Sequence, residues 1–213
     1  MEIRPPDSVL AVLARLWASG HAAYVVGGSL RDVLLGREPA DWDMASDARP
    51  ERLVELFPGA VYENRFGTVA IREGGEGREV HQITTFRSDH EYADFRRPHR
   101  VEFGDRIELD LARRDFTVNA MAWGADAPAD GSPAEPVLMD PYSGLADIET
   151  RTLRAVGDPR ARFEEDALRM VRAVRLAATL DFGVEAGTLA AIQARAELVA
   201  HLSGERLAAE LDR

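Results

Sequence analysis

Apolar residues recur at three- and four-residue spacing near the start of the chain: Val9, Leu10, Leu13, Leu16 and Trp17. The stripe predicts a packing helix over residues 7–19, with Asp7 or Ser8 as N-cap and Gly20 beyond its end. Residues 22–26, Ala-Ala-Tyr-Val-Val, are apolar and partly β-branched with no helical period, which predicts a short buried strand. Gly27-Gly28 breaks it, residues 29–35 are predicted helical and Gly36 stops them. A second strand is predicted over 42–45, and a short helix over 51–57 between Arg49-Pro50 and Pro58-Gly59. Residues 61–63, 68–71 and 79–86 predict three more strands, with turns at Gly67 and at residues 74–77, the latter a hairpin.

Residues 87–100 have no clean period and are dense in charge; they predict either an exposed loop or, through Tyr92 and Phe95 among alternating arginines, a segment that stacks on a nucleotide or RNA end. Residues 113–122 read as a helix start with Asp115 near its N-terminus. Residues 125–136 read as a polar loop. From Asp158 the pattern becomes helical, with one long amphipathic helix over 162–180 that puts Leu168, Val171, Val174 and Ala178 on a shared face. Asp166, Arg169 and Arg172 wind along its other side, ~60° apart in projection. The resulting fold class is α/β (α+β): a small mixed sheet with flanking helices over residues 1–150, then a helical region over 151–213.

At 213 residues and 46% hydrophobic content the chain can bury a sizeable core. No apolar run approaches the ~18 residues of a membrane span, and Met-Glu-Ile-Arg-Pro-Pro lacks the layout of a signal peptide. With no cysteine, disulfides and thiolate metal sites are excluded, which fits a cytoplasmic setting. The net charge of −11 argues against nucleic-acid binding over the whole surface, so any RNA contact needs local basic patches. All 26 basic residues are arginine. There is no P-loop lysine, so triphosphate contacts must come from Arg, backbone N–H groups and metal.

The candidate chemistry starts at Gly27-Gly28-Ser29-Leu30-Arg31-Asp32, followed by Asp41-Trp42-Asp43. A glycine turn opening a helix aims backbone N–H groups at a ligand beside the positive end of the dipole, a ready phosphate site. Strand alternation puts Asp41 and Asp43 on one face and Trp42 on the other. Two carboxylates on one face beside a phosphate cradle suit a pair of Mg²⁺ ions, which clamp both oxygens of an in-line phosphoryl displacement.

Gly-Gly-x-x-Arg-Asp, then Leu-Gly-Arg, then Asp-x-Asp resembles the signature of the polymerase-β nucleotidyltransferase superfamily, in the variant of bacterial class II tRNA nucleotidyltransferases and poly(A) polymerases. Residues 113–120, Arg-Arg-Asp-Phe-Thr-Val-Asn-Ala, match the family's second motif. The resemblance implies that Arg114 reaches the triphosphate, with Asp115 and Asn119 holding that arginine and the sugar. Asp140-Pro-Tyr-Ser-Gly-Leu resembles a third motif joining head to neck. Glu165-Asp166-Ala-Leu-Arg169 matches the motif by which the family reads the incoming base, and residues 204–211 a fifth motif that braces the base-reading helix. Residues 87–100 sit where members that add A carry a mobile loop. One position departs from the pattern: Gln82 stands where many relatives place an acidic residue. Family members normally continue into helical body and tail regions beyond the head and neck.

The resemblance implies a template-independent enzyme that adds C and A to the tRNA 3′ end from CTP and ATP, releasing pyrophosphate, with no obligate protein partner evident. Asp41 and Asp43 would hold two Mg²⁺. Gly28, Ser29, Arg31 and Arg114 would bind phosphates. Asp166 and Arg169 would face the base, with Arg172 and Arg175 further along the helix toward the nucleotide; Arg175 rests on the resemblance alone. The rivals are a poly(A) polymerase or an A-only or C-only adding enzyme of the same family and, in another class, a non-catalytic nucleotide- or RNA-binding module.

Overall fold

The structure, a computed structural model, describes residues 3–64, 67–73, 79–92, 98–128 and 132–212. The first helix, α1 (Asp7–Ala18), buries Val9, Val12, Leu13 and Leu16. Its N-cap position is Pro6, so neither Asp7 nor Ser8 caps it, and Asp7 instead lies in the first turn beside the positive dipole end. The strand β1 (Ala23–Val26) is buried at all four positions, and α2 (Gly27–Leu34) follows without a linker. The strand β2 runs Asp43–Ser46 and α3 Pro50–Leu56. Next come β3 (Val61–Asn64), β4 (Thr68–Glu73) and β5 (Glu79–Thr85). The turn expected at 74–77 lies outside the described residues.

These strands, with β8 (Ala122–Ala125) and β9 (Val137–Met139), form one mixed seven-stranded sheet in the order β3-β4-β5-β2-β1-β8-β9. The β2–β5 pair is parallel, in a register that sets Asp43 opposite Gln82; the others are antiparallel. Burying a β1 side chain such as Val25 contributes on the order of 2 kcal/mol. Trp17 pins α1 over the sheet, its Nε1 donating to the Ala23 and Ala125 carbonyls at 3.2 and 3.0 Å.

Three expectations are corrected. Residues 87–92 and 98–100 are not part of an exposed loop: β6 (Arg87–Tyr92) and β7 (Pro98–Phe103) pair antiparallel from Arg87↔Phe103 to Tyr92↔Pro98. The run 87–92 carries polar residues on both faces, so no alternation announces it and the pairing is set by the partner strand. Phe95, one of its two proposed stacking residues, lies outside the described residues.

The helix expected from Asp115 onward is absent. The helix α4 (Ile107–Ala112) precedes the motif, and residues 117–119 make a single 3₁₀ turn before β8. Long-range backbone pairs replace the helical ones: Thr117 N–H donates to the Arg154 carbonyl and Val156 N–H to that of Asp115, while Phe116 bridges Ala155. Asp140 caps the next helix, α5 (Gly144–Glu149), by accepting from the Gly144 and Leu145 N–H groups at 2.7 and 2.9 Å. A Cβ on Gly144 would stand 2.3 Å from the Thr117 carbonyl oxygen, so only glycine lets α5 close on that turn.

The long helix expected over 162–180 is two: α6 (Pro159–Glu165) and α7 (Leu168–Leu180). Asp166 is extended, with φ −150° and ψ 108°, and accepts from the Leu168 N–H at 3.1 Å. This local side-chain acceptor competes with the helical path and restarts the helix. The expected apolar face is also shifted. Val174 is 61% exposed, whereas Arg169, Met170, Ala173, Leu176 and Leu180 are buried. The short strands β10 (Thr152–Leu153) and β11 (Gly183–Val184) pair parallel on either side of α7 in the chain. Then come α8 (Ala186–Arg195), a 3₁₀ turn and α9 (Gly204–Leu211). Among the described residues one apolar cluster runs from Val9 through Ile83 and Phe163 to Leu202, and a second gathers Tyr24, Val26, Phe86, Ile107 and Leu111. Among the described residues no helix is long and apolar enough to cross a membrane.

Candidate active site

Where β1 ends and α2 begins, Gly27 adopts φ +75°, a left-handed conformation open to glycine. A Cβ there would lie 2.9 Å from Arg114 Nη1 and 3.5 Å from Asp43 Oδ2. This close passage brings together segments distant in sequence. They line one cavity of about 680 Å³: Gly27, Gly28 and Arg31 from α2, Asp41 and Asp43 at the head of β2, Arg113, Arg114, Asp115 and Asn119 from the motif turn, and Arg169, Arg172 and Arg175 from α7.

The predicted site residues fall into three groups. Gly28, Arg31, Asp41, Asp43, Arg114, Asp115, Asn119, Arg169, Arg172 and Arg175 all line the cavity. Ser29 does not; its hydroxyl is buried and donates to the Val26 carbonyl at 3.0 Å, tightening the turn from inside. Asp166 is not among the lining residues either. Both its oxygens accept from Arg206 Nη2 of α9, at 3.1 and 2.9 Å.

The arginines are held by both neighbouring and distant partners. Arg31 donates from Nε to Asp32, at 2.9 Å, and from Nη1 to the Asn119 side-chain oxygen at 2.8 Å. Arg114 donates to Asp110 Oδ2 at 3.1 Å and to the Asn119 carbonyl at 3.3 Å. The resemblance assigned Asp115, with Asn119, to hold Arg114; here Asp110 takes that place and Asp115 accepts from Arg172 Nη1 at 2.8 Å. Burial works to raise the Asp115 carboxyl, but the Arg172 guanidinium and its hydrogen bond, helped by Arg169 and Asn119, outweigh it and hold the carboxyl down to about 2. Arg172 is shifted upward: burial opposes its charge, but Asp115 and Glu210 favour it more strongly.

Along α7, Arg169 pairs with Glu165 at 2.5 Å and also donates to the Arg162 and Arg113 carbonyls. Arg172 and Arg175 converge on the buried Glu210 of α9, at 3.2 and 2.7 Å. Burial pushes the Glu210 carboxyl up, and the two arginines more than reverse it. Sequence reasoning missed Asp110, Arg113, Arg206 and Glu210 as individual contributors. Asp110 had a signal, its i, i+3 and i, i+4 spacing to Arg113 and Arg114; Glu210 had none, because its partners lie 35 and 38 residues away.

The donor set bears on metal. Among the described residues no group of three or more His, Asp, Glu or Cys is placed to hold an ion, and Gln82, where the resemblance implies an acidic residue, stands opposite Asp43. Two carboxylates on a cavity wall nevertheless fit Mg²⁺, which is bound through one or two of them and completes its shell with phosphate oxygens and water.

Residues 23–154 match the poly A polymerase head domain family. The chain belongs to that family. It is 43% identical to the CCA-adding enzyme of Lacticaseibacillus paracasei over its whole length, covering 51% of that protein. It is 45% identical to the CCA-adding enzyme of Levilactobacillus brevis over 94% of this chain and 48% of the relative. The crystal structure of the Bacillus stearothermophilus CCA-adding enzyme in complex with CTP superposes with a TM-score of 0.84 at 37% identity, over 99% of this chain and 48% of that one. A CCA-adding enzyme structure with ATP gives 0.74 at 27% identity, over 98% and 47%. The chain thus spans about half the length of the relatives it matches. As a poly A polymerase head domain member it carries the family's mixed sheet with the cavity at the β1–α2 turn.

Proposed function

We propose that this chain carries the nucleotide-transfer site of a CCA-adding enzyme, which joins CMP and AMP units from CTP and ATP to the tRNA 3′ end with release of pyrophosphate, in the cytoplasm. The observation that carries the reading is the shared cavity: carboxylates of Asp41 and Asp43, the glycine turn of α2 and a strip of arginines meet within it. That set matches the chemistry of a nucleoside triphosphate, anionic at one end and a hydrogen-bonding base at the other. The identity to CCA-adding enzymes over 94–100% of this chain supports the same reading.

In this mechanism the Gly28 N–H, Arg31 and Arg114 take the triphosphate charge at the N-terminus of α2. Asp115 and Asn119 hold Arg172 and Arg31 in place, and so orient the nucleotide between α2 and α7. Two Mg²⁺ ions held by Asp41 and Asp43 would supply Lewis-acid stabilisation of the reacting phosphate and lower the pKa of the attacking 3′-hydroxyl. The base faces the start of α7. Cytosine and adenine each present an amino donor beside a ring-nitrogen acceptor, whereas uracil and guanine present a carbonyl beside an N–H. Asp166 only accepts and Arg169 only donates, so the pair complements the edge common to C and A. For Asp166 this requires the Arg206 pair to share its carboxylate with the base; one oxygen accepts more than one bond.

The test is to incubate the chain with tRNA lacking its 3′ terminus and each nucleoside triphosphate in turn, with Mg²⁺, sizing the RNA and measuring pyrophosphate. C then A addition is expected. Long A tracts would favour a poly(A) polymerase, and nucleotide binding without pyrophosphate release would favour a binding module.

A further inference from the structure

We propose that Asp110 is a positioning residue for triphosphate recognition: it fixes the Arg114 guanidinium in the gap against Gly27 and so sets where the phosphate tail of the nucleotide is gripped. The proposal rests on the reading of Arg114 as a triphosphate ligand.

Asp110 is buried in α4, away from the cavity wall itself. Its two oxygens divide the work. Oδ1 accepts from both Arg113 Nε and Nη2, at 3.0 and 2.6 Å, so two donors of one guanidinium converge on that oxygen and leave the other for Arg114. Oδ2 then faces Arg114 Nη2 at 3.1 Å. Burial raises the Asp110 carboxyl, but the Arg113 and Arg114 charges outweigh it and keep it ionised. Arg114 is steadied at its other terminal nitrogen by the Asn119 carbonyl, and its Nε is buried with no partner. Each terminal nitrogen therefore keeps one N–H for a ligand.

The space around Arg114 makes this placement strict. Only the missing side chain of Gly27 leaves room, since a Cβ there would lie 2.9 Å from Nη1. The neighbouring carboxylate cannot substitute, because Asp115 accepts from Arg172, Asn119 and the Phe116 N–H. Without Asp110 the guanidinium would lose its charged anchor in a site where a small displacement takes it off the phosphate.

The experiment compares CTP with CMP, which lacks the outer phosphates, by calorimetric titration of the whole chain and its Asp110→Asn variant. Asparagine keeps the shape and removes the charge. CTP affinity should fall about ten- to a hundredfold while CMP affinity stays within about twofold, because the lost anchor serves a charged hydrogen bond to the outer phosphates alone. In an Arg114→Ala background Asp110→Asn should bring no further loss for CTP. Equal losses for CTP and CMP, or no loss for either, would overturn the proposal. If Arg114→Ala by itself leaves CTP binding unchanged, the assignment of Arg114 falls first and the proposal with it. Should Asp110→Asn not fold, Asp110→Glu keeps the charge but moves the carboxylate, and the same CTP-over-CMP loss is expected.

Discussion

The two ends of the cavity are built by opposite means. At the α2 end, Gly27, Gly28, Asp41 and Asp43 come from one short stretch of chain, and the geometry is that of a glycine turn beside the head of a strand. At the α7 end, Arg169 pairs with Glu165 four residues away, whereas Arg172 and Arg175 have partners from far along the sequence, Asp115 and Glu210 for the first and Glu210 for the second. The first end is shaped by backbone conformation and the second by an ion-pair network between α7, α9 and the motif turn. A substitution at the first should therefore strike activity with little effect on folding, and one in the second should strike folding or selectivity.

Asp43→Ala is the strongest break expected at the α2 end. Pyrophosphate release with Mg²⁺ should fall by roughly a thousandfold, about 4 kcal/mol, while the melting temperature stays near that of the parent. Activity within tenfold of the parent would remove the two-metal assignment. The counterpart at the α7 end is Glu210→Ala. It leaves Arg172 and Arg175 facing each other without their shared anion, and should cost about 3 kcal/mol in urea unfolding, as for a broken buried pair. A loss no larger than that of Asp43→Ala would erase the contrast between the two ends.

Selectivity sharpens it further. Asp166→Ala or Arg169→Ala should each lower the ratio of kcat/KM for CTP to that for UTP by about ten- to a hundredfold, the worth of one charged hydrogen bond, and weaken triphosphate binding less. An unchanged ratio would move base reading away from the start of α7.

A smaller effect is expected from acid. The Asp115 carboxyl sits at about 2 in the folded chain, against ~3.9 when unfolded, so it contributes stability that is present above pH ~4 and lost as pH falls through about 2. That window should account for about 2 kcal/mol of acid destabilisation, and Asp115→Asn should flatten the stability profile across it. Least is expected in stability from Gly27→Ala, about 1–2 kcal/mol for its positive φ, accompanied by weaker CTP binding because the new methyl displaces Arg114.

The legible parts of this protein are those whose cause is local. The α1 stripe, the apolar run of β1 and the Gly27-Gly28 break each state their structure within a few residues and appear in the fold nearly as read, the α1 cap aside; Asp41 and Trp42 precede β2, which starts at Asp43. The errors have two causes: distant groups that override local preference, and a local side-chain acceptor that the periodicity does not reveal. Residues 113–122 look like a helix start, yet their backbone pairs with residues 154–156. Residues 162–180 keep a helical period across Asp166, whose side chain bonds the Leu168 N–H and breaks the run.

Short-range sequence suffices for the glycine turn at the head of α2, for the closely spaced Asp41 and Asp43 and for membership in the poly A polymerase head domain family, because turn chemistry acts between near neighbours. Which distant carboxylate holds which arginine is settled by packing. Guanidinium and carboxylate groups pair with whatever the fold brings within reach, and Asp115, Asp166 and Glu210 reach their arginines through packing that no spacing along the chain encodes.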